Sequence, residues 1–223
     1  MDWSKIKEIP GWMSDTDLYV LSNLSSYVPD NGHILEIGSF LGRSTSALYL
    51  SKKQTVSLTV VDEFKINGTY SNLNLSLPKQ GNASTFKVAK ELAITTGSWR
   101  AGFEFCLGKD ISDQITVNEM SSNDFVVDKI YDLVFIDGDH RCGQVQQDII
   151  KCISDTTLII GDDFSPLQIG VIQGLLSFIN DSKISSGRSL FVPKNSKIWM
   201  LIPNNGYWNE CLYQKLLGIE RID

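Results

Sequence analysis

One recurrent order constrains this chain more than any other feature. A short apolar run, a turn carrying glycine or aspartate, and a stretch of helical spacing repeat five times, and two closing strands follow. The runs fall at 33–37, 55–61, 103–107, 131–136 and 156–160. Such alternation implies an α/β fold: an open, doubly wound, mostly parallel sheet of seven strands that binds its ligand at the strands' carboxyl ends. The closing pair, about 189–192 and 197–202, is joined by Pro193-Lys-Asn-Ser196 and reads as an antiparallel hairpin.

Helices are expected between these runs. Ser14 and Asp17 form a capping-box pattern ahead of Leu18, Leu21, Leu24 and Val28. Arg43 to Ser51 follows the first strand; Phe86, Ala89, Leu92 and Ala93 share one helical face, as do Val145, Ile149 and Ile153. Ser165-Pro166 has the cap-then-proline order that opens a helix, here with Leu167, Val171, Leu175 and Ile179. The polar stretch from Lys65 to Gly81 reads as an excursion over the sheet edge that could cover a substrate.

With 223 residues, 42% of them hydrophobic, the chain can bury a core unaided. No linker divides it, so a single domain is expected over 1–223: a cap segment and helix at 1–31, a core at 32–203 and a tail at 204–223. Twenty-six acids against 20 bases give a net charge of −6, which argues against nucleic-acid and anionic-membrane partners. Cys106, Cys142, Cys152 and Cys211 include no CxxC pair. There is no export signal and no apolar run of the ~20 residues that span a bilayer. A cytoplasmic, reducing location is the expectation, and homo-oligomerisation is left open.

Three constellations could carry chemistry. In Glu36-Ile-Gly-Ser-Phe-Leu-Gly-Arg-Ser-Thr45 a strand runs through a loop bounded by Gly38 and Gly42 into a helix whose N-terminus can face an anionic group. The loop is neither GxGxxG nor a Walker A sequence, and its alternative is a tight turn that contacts no ligand. Asp62 closes the second strand, where a carboxylate can accept both hydroxyls of a ribose, or simply face water.

The third constellation is acidic. Asp137, Asp139 and His140 follow one strand, and Asp162 and Asp163 follow the next. Neighbouring strand ends lie about 5 Å apart, so these carboxylates repel unless something positive sits among them. A hard divalent cation such as Mg²⁺ suits oxygen donors; alternatively the acids are solvated or cap helices. His140 titrates near neutrality and could remove a proton from a substrate hydroxyl, or be a surface histidine. His33 begins a buried strand and reads as structural.

In this order and spacing, Glu36–Thr45, Val61-Asp62, Ile136-Asp-Gly-Asp-His140 and Gly161-Asp-Asp-Phe164 resemble the class I S-adenosylmethionine-dependent methyltransferases. The resemblance is to the metal-dependent O-methyltransferase branch, which includes the catechol and macrolide-sugar enzymes, and it covers roughly Gly32 to Ile202. It implies the Rossmann-like methyltransferase fold with S-adenosylmethionine as cofactor. The loop from Gly38 through Ser39 to Gly42 would hold the cofactor's methionine part, Asp62 its ribose, and Gly108, Lys109 and Asp110 its adenine, with Glu36, Arg43, Ser44 and Asp137 also among the cofactor-binding residues. Asp137, Asp162 and Asp163 would hold Mg²⁺ or another divalent cation, and His140 would be the catalytic base. Pro10-Gly-Trp-Met13 would fold over cofactor and substrate. The acceptor would be a small hydroxylated molecule, a sugar being one class.

Two other readings compete. Asp137-Gly-Asp139 is also the DxD pattern by which nucleotide-sugar glycosyltransferases hold a metal and diphosphate, but that leaves Gly38, Asp62 and the Asp162-Asp163 pair without roles. The fold could alternatively serve as a non-catalytic cofactor-binding module.

Overall fold

A computed structural model describes residues 3–65, 82–181, 187–215 and 219–221. Of the polar stretch read from Lys65 to Gly81, residues 66–81 lie outside them. The order of elements is α1 (Trp3–Glu8), α2 (Asp15–Ser26), β1 (His33–Ile37), α3 (Arg43–Ser51), β2 (Ser57–Asp62), α4 (Asn82–Thr96), α5 (Trp99–Leu107), α6 (Lys109–Ser112), β3 (Thr116–Glu119), β4 (Leu133–Ile136), α7 (Cys142–Cys152), β5 (Leu158–Gly161), α8 (Ile169–Asn180), β6 (Arg188–Pro193), β7 (Trp199–Pro203), α9 (Tyr207–Lys215) and β8 (Ile219–Arg221). None of the described helices is long and apolar enough to cross a membrane.

The strands form one sheet in the order β3-β2-β1-β4-β5-β7-β6-β8. The first five are parallel, and β7, β6 and β8 each run antiparallel to the neighbour before them. This is the expected seven-stranded arrangement with its closing hairpin, extended by a short eighth strand. The chain steps outward from β1 through β2 to β3, then returns to place β4 on the other side of β1. Strand order therefore reverses between β1 and β4, the point at which doubly wound sheets bind ligands. The carboxyl ends are level there, because Ile37 pairs with both Val61 and Ile136, and Ile136 with Gly161.

Side chains alternate across the central strands, so each face builds its own core. Ile34, Leu58, Phe135, Ile160 and Met200 pack beneath α1, α2, α3 and α5, whereas Leu35, Val134, Ile159, Trp199 and Leu201 pack against α7 and α8. The capping box at α2 forms as expected: the Asp17 N–H donates to Ser14 Oγ (3.2 Å) and the Ser14 N–H to the Asp17 carboxylate (3.1 Å).

Two sequence expectations are corrected. Phe103 to Leu107 is not a strand but the end of α5, capped by Ser98, whose Oγ accepts from the Ala101 N–H at 3.0 Å. Its alternating apolar pattern also fits helical spacing, which buries Phe103 and Leu107 four residues apart and leaves Phe105 exposed. The third strand is Thr116–Glu119, whose polar sequence hides it. Likewise Ser165-Pro166 makes a turn in which Gln168 N–H donates to the Ser165 carbonyl, and α8 begins only at Ile169, leaving Leu167 89% exposed.

Candidate active site

The loop after β1 is shaped by close approach to the loop after β4. Gly38 has φ +85°, and a Cβ there would fall 2.3 Å from the Asp137 carbonyl oxygen. Only glycine meets both demands. Asp62, at the end of β2, holds the rest of the loop: its Oδ2 accepts from the Ser39 N–H (2.7 Å) and Phe40 N–H (3.0 Å), and its Oδ1 from the Phe64 N–H (2.6 Å). Phe40 itself sits at φ 51°, a strained conformation for a bulky residue. Its hydrogen bond to Asp62 and its ring contacts with Trp12 (4.9 Å) and Trp99 (5.7 Å) hold it there.

Glu36 lies beneath this loop and is completely buried. Ser44 and Thr45, in the first turn of α3, donate to its two oxygens at 2.5 and 2.6 Å. Burial pushes its carboxyl up to about 8, against the two hydroxyls, with the charges of Asp137 and Asp62 adding to the rise. Arg43 ties the N-terminal segment to the site by donating from Nη1 to the Gly11 carbonyl at 2.9 Å, while its Nε is buried without a partner. Pro10, Gly11, Trp12 and Met13 face Gly38, Ser39, Phe40, Arg43, Ser44 and Asp137 across a cleft of about 50 Å³.

Beyond Asp137 the acidic cluster begins. His140 stands between two carboxylates, with Nε2 3.4 Å from Asp137 Oδ1 and Nδ1 3.4 Å from Asp163 Oδ2. Burial opposes the imidazolium, but the hydrogen bond and charge of Asp137 and the charge of Asp163 raise the histidine above its usual value. Asp162 is 5% exposed, and burial, reinforced by Asp137, raises its carboxyl. Burial raises Asp137 as well. Ligand atoms of Asp137, His140 and Asp163 all lie within 4.8 Å of one another, so the cluster brings in His140 where Asp162 was expected. That spread can be bridged by one ion, and the carboxylate oxygens suit a hard divalent cation.

A positive charge already stands at this cluster. Lys197 Nζ is 2.6 Å from Asp163 Oδ1 and 3.6 Å from Asp162 Oδ2. It was not among the residues the sequence singled out, where it reads as one residue of a hairpin. Topology supplies the missing signal. In the antiparallel pair β5 and β7, Gly161 lies opposite Trp199, and past the strand end the Phe164 N–H donates to the Lys197 carbonyl, which brings Lys197 beside the Asp162-Asp163 loop.

Of the residues expected at the site, Gly38, Ser39, Arg43, Ser44 and Asp137 line one cleft, and Asp137, His140, Asp162 and Asp163 converge beside it. Glu36 faces Ser44 and Thr45, not the cleft. Gly42 sits at φ +88° as the N-cap of α3, against Leu107. Asp139 turns back on its own loop, accepting from the Arg141 N–H at 2.9 Å and Nε at 2.7 Å. Gly108, Lys109 and Asp110 do not end a strand, because 103–107 is helical; Gly108 joins α5 to α6, Lys109 and Asp110 open α6, and Lys109 pairs with Asp113 at 2.7 Å. The strand end beside Asp62 is Glu119-Met120, where the Met120 N–H donates to the Asp62 carbonyl at 3.1 Å.

Comparison with known proteins locates this architecture. No family model matches the chain, and no curated protein matches it in sequence. Solved structures do match in fold. An O-methyltransferase from Bacillus cereus in complex with SAH superposes with a TM-score of 0.56 at 16% identity, covering 89% of this chain and 90% of that one. The O-methyltransferase TomG from Streptomyces achromogenes, in complex with SAM, gives 0.51 at 13%, covering 87% and 82%. A methyltransferase from Geobacter sulfurreducens gives 0.51 at 12%, covering 91% and 86%. The chain thus has the Rossmann-like fold of the class I methyltransferases.

Proposed function

We propose that the protein is an S-adenosylmethionine-dependent O-methyltransferase acting on a small hydroxylated acceptor. The observation that carries this reading is the meeting, at the switch point of a methyltransferase fold, of the Gly38–Ser44 loop with Asp137 and His140. Structural neighbours solved with SAM or SAH support it.

The chain's own residues would divide the work as follows. The Gly38 loop and the first turn of α3 receive the cofactor's methionine part, held in shape by Glu36 from below and Asp62 from the side. Asp62 Oδ1 accepts from the Phe64 N–H and retains a lone pair for a ribose hydroxyl. The Pro10–Met13 segment, which lines the same cleft as Gly38, Ser39 and Asp137, would cover the cofactor and the acceptor.

Asp137 faces His140 Nε2 and Asp163 faces Nδ1, and the neutral imidazole held between them would take the acceptor's proton. As the acceptor oxygen bonds to the methyl carbon, the methyl–sulfur bond breaks, the proton passes to His140 and S-adenosylhomocysteine leaves. In-line alignment of the two reactants supplies much of the rate. Asp137, Asp162 and Asp163 would hold a divalent ion such as Mg²⁺, which when bound would make the acceptor hydroxyl more acidic.

Incubation with methyl-labelled S-adenosylmethionine and a panel of sugar and phenolic acceptors tests the reading, with and without EDTA. Label should enter the acceptor's hydroxyl. Label in no acceptor, together with sugar transfer from a UDP-sugar, would favour the glycosyltransferase reading in which Asp137 and Asp139 act as a pair.

A further inference from the structure

The acidic cluster raises a question of charge balance, since Asp137, Asp162 and Asp163 crowd one strand-end corner. Lys197 answers it from the hairpin, and it is built into place. The Lys197 N–H donates to Asp17 Oδ1 at 2.9 Å, and the Ser196 hydroxyl donates to the same oxygen at 2.7 Å. Asp17 is itself 1% exposed within the α2 capping box. On the other side, the Phe164 N–H donates to the Lys197 carbonyl at 2.9 Å, immediately after the acidic pair. The backbone of Lys197 is thus clamped between α2 and the Asp162-Asp163 loop, and its Nζ has one short reach, to Asp163 Oδ1 at 2.6 Å.

Resting on the methyltransferase reading above, we propose that Lys197 is the resident counter-ion of the acidic cluster, which a divalent ion must displace from Asp163 in order to bind. Charges about 4 Å apart near a protein surface interact appreciably, so an ammonium left beside the cluster opposes a dication. A divalent ion gains Asp163 only when Nζ leaves it. Lys197 then keeps the cluster together without metal and weakens the site for metal, a property set by the hairpin and not by the carboxylates.

The test is calorimetric titration of MnCl₂ into the full chain as wild type, Lys197→Met and Lys197→Arg. The Met variant, which removes the charge and keeps the apolar stem, should bind Mn²⁺ about tenfold more tightly than wild type or better. The Arg variant should stay near wild type. Equal affinity for wild type and Met, or weaker binding by Met, would overturn the proposal.

Should the Met variant not fold, acetylation of Lys197 in the wild-type chain with limiting reagent, followed by mass spectrometry, replaces it. Saturating MgCl₂ should raise labelling of Lys197 severalfold relative to exposed Lys90, and unchanged labelling would refute displacement. S-adenosylhomocysteine affinity measured in parallel keeps the two readings apart. Its absence would count against the methyltransferase assignment and leave the Lys197 result standing.

Discussion

Glu36 makes the account vulnerable in a measurable way. It is completely buried, the hydroxyls of Ser44 and Thr45 donate to it, and its carboxyl is raised from 4.5 to about 8. A raised carboxyl penalises the folded state as pH rises. Below 4.5 both states hold the proton and the group contributes nothing to the pH dependence. Above 4.5 the unfolded chain releases its proton while the folded one keeps it, and stability falls by about 1.4 kcal/mol per pH unit until roughly pH 8. From pH 5 to 8 the loss through this one group is about 4 kcal/mol. Glu36→Gln keeps the shape and removes the titration, with the hydroxyls of Ser44 and Thr45 free to rotate to suit the amide. Urea unfolding of both proteins from pH 5 to 9 should show the Gln variant gaining on wild type by about that amount, then a constant difference above pH 8. Taking the difference cancels the other raised carboxyls, such as Asp162. A difference independent of pH would refute the reasoning, because Glu36 would then ionise in the fold as it does in water.

His140→Ala should lower turnover about 10²- to 10⁴-fold while calorimetry finds cofactor affinity unchanged; unaltered turnover would remove His140 from the mechanism. Gly38→Ala places a Cβ 2.3 Å from the Asp137 carbonyl oxygen at φ +85°, and should cost about 3 kcal/mol or more in urea unfolding, with cofactor binding lost. Asp17→Ala removes the acceptor for Ser14, Ser196 and the Lys197 N–H, at a cost of about 3 kcal/mol. Burial opposes ionisation of Asp17, but those hydrogen bonds lower its pKa overall. Its contribution is therefore present above the ordinary carboxylate range and lost as pH falls below it, and the Ala variant should lose that part of the acid sensitivity of the melting temperature.

The parts of the fold legible in the sequence are those where local pattern and tertiary environment agree. His33–Ile37 is apolar and central, and Arg43–Ser51 follows a glycine turn, so both elements fall at their expected bounds. The Ser14–Asp17 capping box is a contact between residues three apart and needs no distant partner. Phe103–Leu107 fails because a five-residue apolar alternation fits either period, and Ser98, the cap that decides it, lies outside the run. Thr116–Glu119 fails for the opposite reason: it flanks β2 toward the sheet edge, where burial is partial and polar residues are tolerated. That single exchange is why Gly108, Lys109 and Asp110, read as the end of a strand, follow a helix and open another.

At the site, the acids and His140 were legible because each follows an apolar run by one to four residues. The need for a positive partner was legible too. Its identity was not, because Lys197 reaches Asp163 across 34 residues of chain through the antiparallel register of β5 and β7. Glu36 stands in the same motif as the Gly38 loop, and it supports that loop from beneath through Ser44 and Thr45. A sequence motif reports which residues are near a ligand and does not separate those that touch it from those that hold the others in place.

The central claim is that the switch-point cleft takes S-adenosylmethionine. Calorimetry on the full chain with S-adenosylhomocysteine, set against UDP-sugars with Mn²⁺, tests it most directly. Saturable binding of S-adenosylhomocysteine at one site per chain, lost in Gly38→Ala, is the predicted result, with no heat from the UDP-sugars. No binding of S-adenosylhomocysteine, with a UDP-sugar bound in its stead, would contradict the account.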